Sequence, residues 1–306
     1  MNYTRLEEIC REHDVTCEAN AAMAPLTTMK IGGACDRLVT ADSEEKLLAA
    51  VGCCRREDIP YFILGRGSNL LVNSAGYRGA VIRLVPGAAP ELSGNTLTVW
   101  AGTVLQKLCV IARDASLSGL EFAFGIPGSV GGALFMNAGA YGGEMRDVVR
   151  SCRYIGDDGE LHEMQAADMQ LGYRSSIFSG KDYVITSVTM ELHPGDRSEI
   201  TARMNDLMQR RIDKQPLNYP SCGSTFKRPE GYFAAALIEE CGLKGYTSGG
   251  AQVSEKHSGF VINRDKATFE DVMAVVNEVR RVVLKEKGVK LECEMLILGE
   301  HGTAGH

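Results

Sequence analysis

Hydrophobic and polar positions follow two different periods along the chain. Short runs rich in β-branched and aromatic residues, "DRLVTA" (36–41), "IPYFILG" (59–65), "GAVIRL" (79–84) and "NTLTVWAG" (95–102), predict strands. Between them, "SEEKLLAAVGCCRRED" (43–58) predicts a helix opened by Ser43, and the first fifteen residues predict a polar amphipathic helix. "VLQKLCVIARDAS" carries apolar side chains at Val104, Leu105, Leu108, Ile111 and Ala112, the spacing of one helix face. Further on, "VVRSCRYIGDDGELHEM" predicts a hairpin turning at Asp158-Gly159, and "DYVITSVTMEL" a long strand. A helix over "RSEITARMNDLMQRRIDKQ" is stopped by Pro216, with a domain boundary expected just before it at Pro194-Gly195. The remainder predicts helices at "FAAALIEECG" and "TFEDVMAVVNEVRRVVLKEKG", a strand at "GFVIN", and a closing strand at "VKLECEMLILG".

Composition narrows the class. The chain has 306 residues, of which 44% are hydrophobic and 24% charged, as expected of a globular enzyme with two or three domains. A net charge of −6 and the lack of a basic stripe with interleaved aromatics exclude a nucleic-acid binder. The sequence holds no apolar run of ~18 residues, and its start lacks a charged segment followed by an apolar one, so no membrane association and a cytoplasmic location are expected. Ten cysteines are scattered without CxxC pairs, which points to packed thiols, with neither disulfides nor a metal site expected.

Two glycine-rich stretches carry the first chemical argument. In "ILGRGSNLLV" a strand runs into Gly65, Arg66, Gly67, Ser68 and Asn69, and such glycines let backbone N–H groups converge on an anion, a phosphate above all. The dinucleotide fingerprint of a Rossmann fold does not fit, because Leu70-Leu71-Val72 continues as a strand where a helix should open. Alone, this loop reads equally as a plain turn. "GIPGSVGGALFMNAGAYGG" (125–143) then packs seven glycines into nineteen residues, and this second loop could close on the same diphosphate from the other side.

Together with "TTMKIGGACDRLV", "LSGLEFAFGIPGSVGGALFMNAGAYGGE", "LGYRSSIF", "PSCGSTFKRPEGYFAAALIEECGLKGYTSGGAQVSEKHSGFVIN" and "LECEMLILGE", these loops resemble the UDP-N-acetylenolpyruvoylglucosamine reductases over nearly the whole chain. The resemblance implies a cytoplasmic flavoenzyme of peptidoglycan synthesis that uses FAD as cofactor and NADPH as electron donor. The short link after "GYRSSIF" is similar to the shorter of the family's two forms. The implied fold is α+β: a two-lobed FAD-binding domain of the vanillyl-alcohol-oxidase type plus a C-terminal α+β substrate domain. The expected division is an N-terminal helix (1–19), flavin lobes at 20–94 and 95–195, a substrate domain at 196–286, and a last strand and tail (287–306) returning to the flavin region. The flavin ring is expected at the domain junction, with the returning strand bringing Glu294 to Arg174 and Ser224. By the same resemblance, FAD contacts fall on Gly65, Gly67, Ser68 and Asn69 of the first loop. In the second they fall on Ile126, Pro127, Gly128, Ser129, Gly132, Asn137, Ala138, Gly139, Ala140 and Gly143.

Reduction of an enol ether of pyruvate adds hydride to the β-carbon and leaves an enolate that must be stabilised and then protonated. Arg174, in "GYRSSIF", matches the family's catalytic arginine, and a planar guanidinium suits a carboxylate gaining enolate character. Glu294 matches the catalytic glutamate. Ser224, in "SCGST", matches the proton donor to the α-carbon; read without the resemblance it is a turn hydroxyl. Lys214 or Lys227 could ease departure of its proton. Cys222 beside it invites a nucleophile reading, but the reaction needs no covalent enzyme intermediate, so a packing role is expected.

Tyr219, Lys227, Arg228, Tyr246 and His257 are candidate contacts to the uridine diphosphate sugar, with backbone bonding an equal reading for His257. Arg66, Cys35 and Cys293-Glu294-Met295-Leu296 depart from the family pattern, the last by lacking an arginine. The expected partners are a UDP-sugar and NADPH, and the expected state is a monomer. A flavin-dependent alcohol oxidase and a non-catalytic flavin binder are the competing classes; the first lacks its second domain here, and the second should lack Arg174, Ser224 or Glu294.

Overall fold

Residues 2–303 are described by the computed structural model of the chain. Two compact units emerge, and neither is contiguous in sequence. The first comprises Met1–Glu18, Arg37–Arg66 and Ala80–Arg210; the second comprises Ala19–Asp36, Gly67–Gly79 and Arg211–His306.

In the first unit, α1 (Thr4–Glu12) buries Leu6, Ile9 and Cys10, spaced along one face of the helix. Helix α2 (Glu44–Arg56) starts where expected: the Ser43 hydroxyl accepts from the Lys46 N–H at 3.3 Å. Glu44 and Glu45 in its first turn and Arg55 and Arg56 in its last complement the helix dipole. Tyr61–Leu64 pairs parallel with Ala80–Arg83, the arrangement expected across an intervening crossover. Helix α3 (Leu105–Asp114) buries Leu105, Leu108, Cys109 and Ala112.

The unit's largest sheet has five antiparallel strands in the order Leu161–Gln165, Val149–Ile155, Val184–Glu191, Thr96–Trp100, Glu91–Ser93. Its centre, Val184–Glu191, has the β-branched composition of a strand with neighbours on both edges. The hairpin turns at the predicted place, with Ile155 opposite Leu161 and Tyr154 opposite His162. Two further helices are the six-residue α4 (Val130–Phe135) and α5 (Arg197–Lys214), the latter ending just before Pro216 as expected. One continuous core joins these elements, from Leu6 through Val51, Leu108 and Val188 to Met204.

The second unit has its own core, which includes Met29, Leu71, Phe226, Ile238, Val253 and Val276. Helix α6 (Ala234–Glu240) and the long α7 (Phe269–Lys287) supply much of it. Helix α7 is opened by reciprocal bonds: the Thr268 hydroxyl accepts from the Asp271 N–H at 3.1 Å, and the Asp271 carboxylate accepts from the Thr268 N–H at 3.0 Å. Val272, Val275, Val276, Val279 and Val283 form its buried stripe. The helix meets a three-stranded antiparallel sheet, Thr247–Ser248, Ala251–Val253 and Val261–Asn263.

Leu296–Gly299 pairs parallel with Leu70–Val72, Leu296 standing opposite Leu70. This pairing explains why the contiguous lobes expected at 20–94, 95–195 and 196–286 differ from the observed division. Leu70–Val72 finds its neighbour at the far end of the chain, and Gly33 donates to the Asn73 carbonyl at 2.9 Å, drawing in the segment before it. The Thr28 hydroxyl donates to the Ser221 carbonyl at 2.6 Å, tying that segment to the C-terminal part. The closing strand is also shorter than "VKLECEMLILG" predicts, because Cys293 bridges to Phe226 while Leu296 onward pairs with Leu70.

Candidate functional site

The candidate residues fall into two constellations, one in each unit. In the first, the glycine-rich segment folds back on Gly65. A Cβ at Gly65 would lie 2.3 Å from the Ser129 hydroxyl oxygen, so the two glycine stretches touch there, as their pairing predicted. Ser129 is buried and caps α4, its hydroxyl accepting from the Gly132 N–H at 3.3 Å. Gly125, Gly128 and Gly142 have φ of 92°, 140° and 89°, and Asn137 and Tyr141 share the left-handed region at 40° and 54°. The segment is open at two places and close-packed at three: a Cβ at Gly142 would meet nothing within 4 Å and one at Gly132 only the Ser129 hydroxyl, whereas at Gly131, Gly139 and Gly143 it would strike Ala101, Glu144 and Phe122 at 2.7–2.8 Å. The open backbone at Gly132 and Gly142 makes a cradle that fits a flavin nucleotide, whose diphosphate needs close backbone approach. Ile126, Pro127, Ala138, Gly139, Ala140 and Gly143 all lie on the same segment, with Ala140 opposite Gly143 in a two-residue ladder.

Asn137 is spent within the protein. Fully buried, it donates from its amide to the Glu144 carboxylate and to the Gly172 carbonyl, both at 3.0 Å, and its amide oxygen accepts from the Arg146 N–H at 2.9 Å. The Gly172 bond pins a tight turn in which Gly172 and Ser175 bond each other's backbone, with Tyr173 and Arg174 at the corner. Arg174 has φ of 53°, a conformation that costs an arginine about 1–2 kcal/mol. Its guanidinium donates to the Gly139 carbonyl at 3.2 Å and lies 5.2 Å from the centre of the Tyr173 ring. The turn thus holds a half-buried arginine on strained backbone.

In the second unit, Ser224 and Glu294 come together through the backbone. Thr225 sits at the crossing: its N–H donates to the Gly259 carbonyl at 2.8 Å, and its carbonyl accepts from the Glu294 N–H at 2.8 Å. Its buried hydroxyl accepts from the Val261 N–H at 2.9 Å. Asn69 closes the cluster, its amide donating to the Glu294 carbonyl at 3.0 Å and its own carbonyl accepting from the Leu296 N–H at 2.9 Å. Thr225 and this use of Asn69 are invisible in the sequence, where one belongs to a stretch that reads as a turn and the other is a loop asparagine.

Gly67 has a different reason to be glycine from the one expected. With φ of 60°, it is buried, and a Cβ there would lie 2.4 Å from the Leu26 carbonyl oxygen. The clash is with the protein's own backbone, which Thr28 fastens by donating its N–H to the Gly67 carbonyl at 3.0 Å. Ser68 follows, half-buried, between Gly67 and Asn69. Cys222 is buried, its thiol donating to the Leu70 carbonyl at 3.2 Å, and burial pushes its pKa up to about 12. It is a packed thiol and no nucleophile at neutral pH.

The five expected sugar-nucleotide contacts disperse over the second unit. Tyr219 lines a cleft of about 520 Å³ with Asn218, Gln252, Lys256 and Arg264; the other four do not. Lys227 pairs with Glu292 at 3.9 Å, and Arg228 stacks 4.0 Å from the centre of the exposed Phe233 ring. Tyr246 closes a turn, its carbonyl accepting from the Val253 N–H at 2.8 Å. His257 Nδ1 accepts from the Gly259 N–H at 3.1 Å, and burial lowers the pKa of the ring, which stays neutral at pH 7.

A sequence profile described as an FAD binding domain matches residues 35–165, which makes this a flavin-binding protein by class. A second profile, the C-terminal domain of UDP-N-acetylenolpyruvoylglucosamine reductase, matches residues 215–298. The reductase of that name from Clostridium perfringens (strain SM101 / Type A) is 46% identical over 97% of this chain and 97% of its own. The one from Clostridium novyi (strain NT) is 45% identical over 97% of this chain and 96% of its own. A crystal structure of the Thermus caldophilus enzyme superposes with a TM-score of 0.78 at 35% identity, covering 92% of this chain and 98% of that one. The chain belongs to the UDP-N-acetylenolpyruvoylglucosamine reductase family, a family of FAD-dependent oxidoreductases. Among the described residues no helix is long and apolar enough to cross a membrane.

Proposed function

We propose that this chain reduces UDP-N-acetylglucosamine enolpyruvate to UDP-N-acetylmuramate, with NADPH as the electron donor. Bound FAD would carry hydride from the dinucleotide to the β-carbon of the enol ether. The protein's own residues do the rest. Arg174 clamps the substrate carboxylate and meets the charge that spreads onto it as the enolate forms. The turn pinned by Asn137 presents that guanidinium in one orientation, so little reorganisation remains when charge develops. Ser224 gives its hydroxyl proton to the α-carbon, which completes the reduction. Glu294 supplies the second polar group at the reacting carbons. Lys227 and Arg228 meet the diphosphate, Tyr219 and Tyr246 the uridine, and His257, uncharged, offers its remaining ring nitrogen to the sugar nucleotide.

The reading is carried by one observation: the Glu294 N–H donates to the carbonyl of Thr225, the residue after Ser224, at 2.8 Å. Two residues distant in sequence, matched to catalytic roles, are thereby neighbours on adjoining segments. The glycine cradle and the flavin-domain profile support FAD. The test is spectroscopic. Purified protein should carry flavin absorbance that NADPH bleaches under anaerobic conditions and that the enolpyruvyl sugar nucleotide restores. Restoration by oxygen alone at the same rate would favour an oxidase, and bleaching without restoration by the sugar nucleotide would overturn the substrate assignment.

A further inference from the structure

We infer that Asn69 acts through its side-chain amide as the positioning residue for Glu294. The inference rests on the functional reading above and deepens it. Only the amide nitrogen of asparagine can donate to a carbonyl, so its bond to the Glu294 main chain at 3.0 Å fixes which way the side chain is turned. The parallel ladder between Leu70–Val72 and Leu296–Leu298 ends with the Leu296 N–H on the Asn69 carbonyl at 2.9 Å. The Asn69 amide adds one more rung, two residues earlier on the C-terminal strand.

Glu294 is consequently gripped at both of its peptide groups. Its N–H is held by Thr225, beside Ser224, and its carbonyl by Asn69, beside Gly67 and Ser68. A side chain's direction follows from the backbone that carries it, and the two bonds restrict rotation about both backbone dihedrals of Glu294. Thr225 alone would leave the following peptide able to turn. Asn69 removes that freedom by tying the Glu294 carbonyl to the segment that runs into Leu70–Val72. Neither residue position would suggest this, since the two lie at opposite ends of the chain.

The test uses the flavin-loaded protein and a double-mutant cycle with Asn69→Ala and Glu294→Gln. Three quantities are read: affinity of the apoprotein for FAD, the rate of flavin reduction by NADPH, and the rate of reoxidation by the enolpyruvyl sugar nucleotide. Asn69→Ala should keep FAD affinity within about threefold and reduction at the parent rate. Reoxidation should slow by roughly 10–100-fold, the scale of a misplacement of about 1 Å. In the Glu294→Gln background the same change should be nearly silent. Asn69→Ser, which keeps a shorter donor, should fall between, and it carries the same cycle should the alanine protein fail to fold. Loss of FAD affinity with both half-reactions falling together would make Asn69 a cofactor ligand and overturn the inference. Slowdowns that multiply in the double variant would do the same by showing that Asn69 acts independently of Glu294. Wild-type reoxidation in Glu294→Gln alone would instead sink the catalytic assignment of Glu294, a separate failure.

Discussion

The two units build their candidate chemistry by opposite means. In the first, the backbone is shaped locally: seven glycines within nineteen residues, left-handed backbone at Asn137 and Tyr141, and an arginine at the corner of a four-residue turn with φ of 53°. The strained turn there is held by one buried asparagine. In the second, nothing is local. Ser224, Glu294 and Asn69 have no left-handed backbone and are assembled by backbone hydrogen bonds and the Asn69 amide between segments far apart in sequence. A strained local turn can lose its functional side chain and relax, whereas a long-range clasp has no strain to release.

Substitutions at the two proposed reagents should separate these designs. Ser224→Ala should show the largest effect, a fall of ~10²–10⁴-fold in flavin reoxidation by substrate, with reduction by NADPH near the parent rate. Ser224→Cys should retain more. Thermal stability should hardly move, because a half-buried hydroxyl in an unstrained segment is lost. Reoxidation at the parent rate in the alanine variant, measured by rapid mixing, would return Ser224 to the status of a turn residue. Arg174→Gly should cost ~10²–10³-fold in the same step, yet leave stability within about 1 kcal/mol of the parent or above it. Glycine accepts a positive φ that arginine pays for, and this offsets the lost bond to Gly139. A clearly destabilised Arg174→Gly protein would break the contrast between strain and clasp.

The glycines extend the comparison at smaller scale. Gly67→Ala should destabilise the protein by about 1–3 kcal/mol, since its φ is positive and a Cβ would strike the Leu26 carbonyl. Gly65→Ala meets a side-chain hydroxyl instead, which can rotate, so its effect on the melting temperature should be smaller. Equal losses in the two variants would show that the two positions of this loop are held alike. The smallest effect is expected at His257. Burial holds its folded pKa below the ordinary value of 6.5, so the unfolded chain takes up the proton first as pH falls. Its contribution to stability is present above that range and lost as pH drops through 6.5 toward the lower folded value. His257→Asn, which can still accept from Gly259, should therefore gain on the parent in melting temperature between pH 8 and pH 5. A constant difference across that range would mean the ring titrates alike in both states.

Much of the first unit was legible in sequence because its signals are short-range. Ser43 marked the start of α2, Asp158-Gly159 marked the hairpin, and Pro216 followed the end of α5. The same holds for the dense glycines. What stayed hidden depends on partners distant in sequence. Gly67 reads as a phosphate-loop glycine until Leu26 is found against it, and "VKLECEMLILG" reads as one strand until its two halves are seen to have different partners. Asn69 and Asn137 are expected beside the flavin, and their amide bonds to Glu294, Glu144 and Gly172 could not be foreseen, since a sequence cannot say which way an amide is turned. Thr225 gave no signal at all, because a threonine beside a glycine and a serine in a turn is commonplace.

The pairing of Leu70–Val72 with Leu296–Gly299 also sets a timetable for biosynthesis. At roughly 5–20 residues per second, the later strand leaves the ribosome about 10–45 s after the earlier one. Through that interval Leu70, Leu71 and Val72, all buried in the finished protein, have no ladder partner to the C-terminal side. The nascent chain therefore carries an apolar, hydrogen-bond-hungry segment for most of its synthesis, and slower translation lengthens the exposure. Yield of native protein should respond to elongation rate and to chaperone supply more strongly than that of a chain whose strands pair with near neighbours.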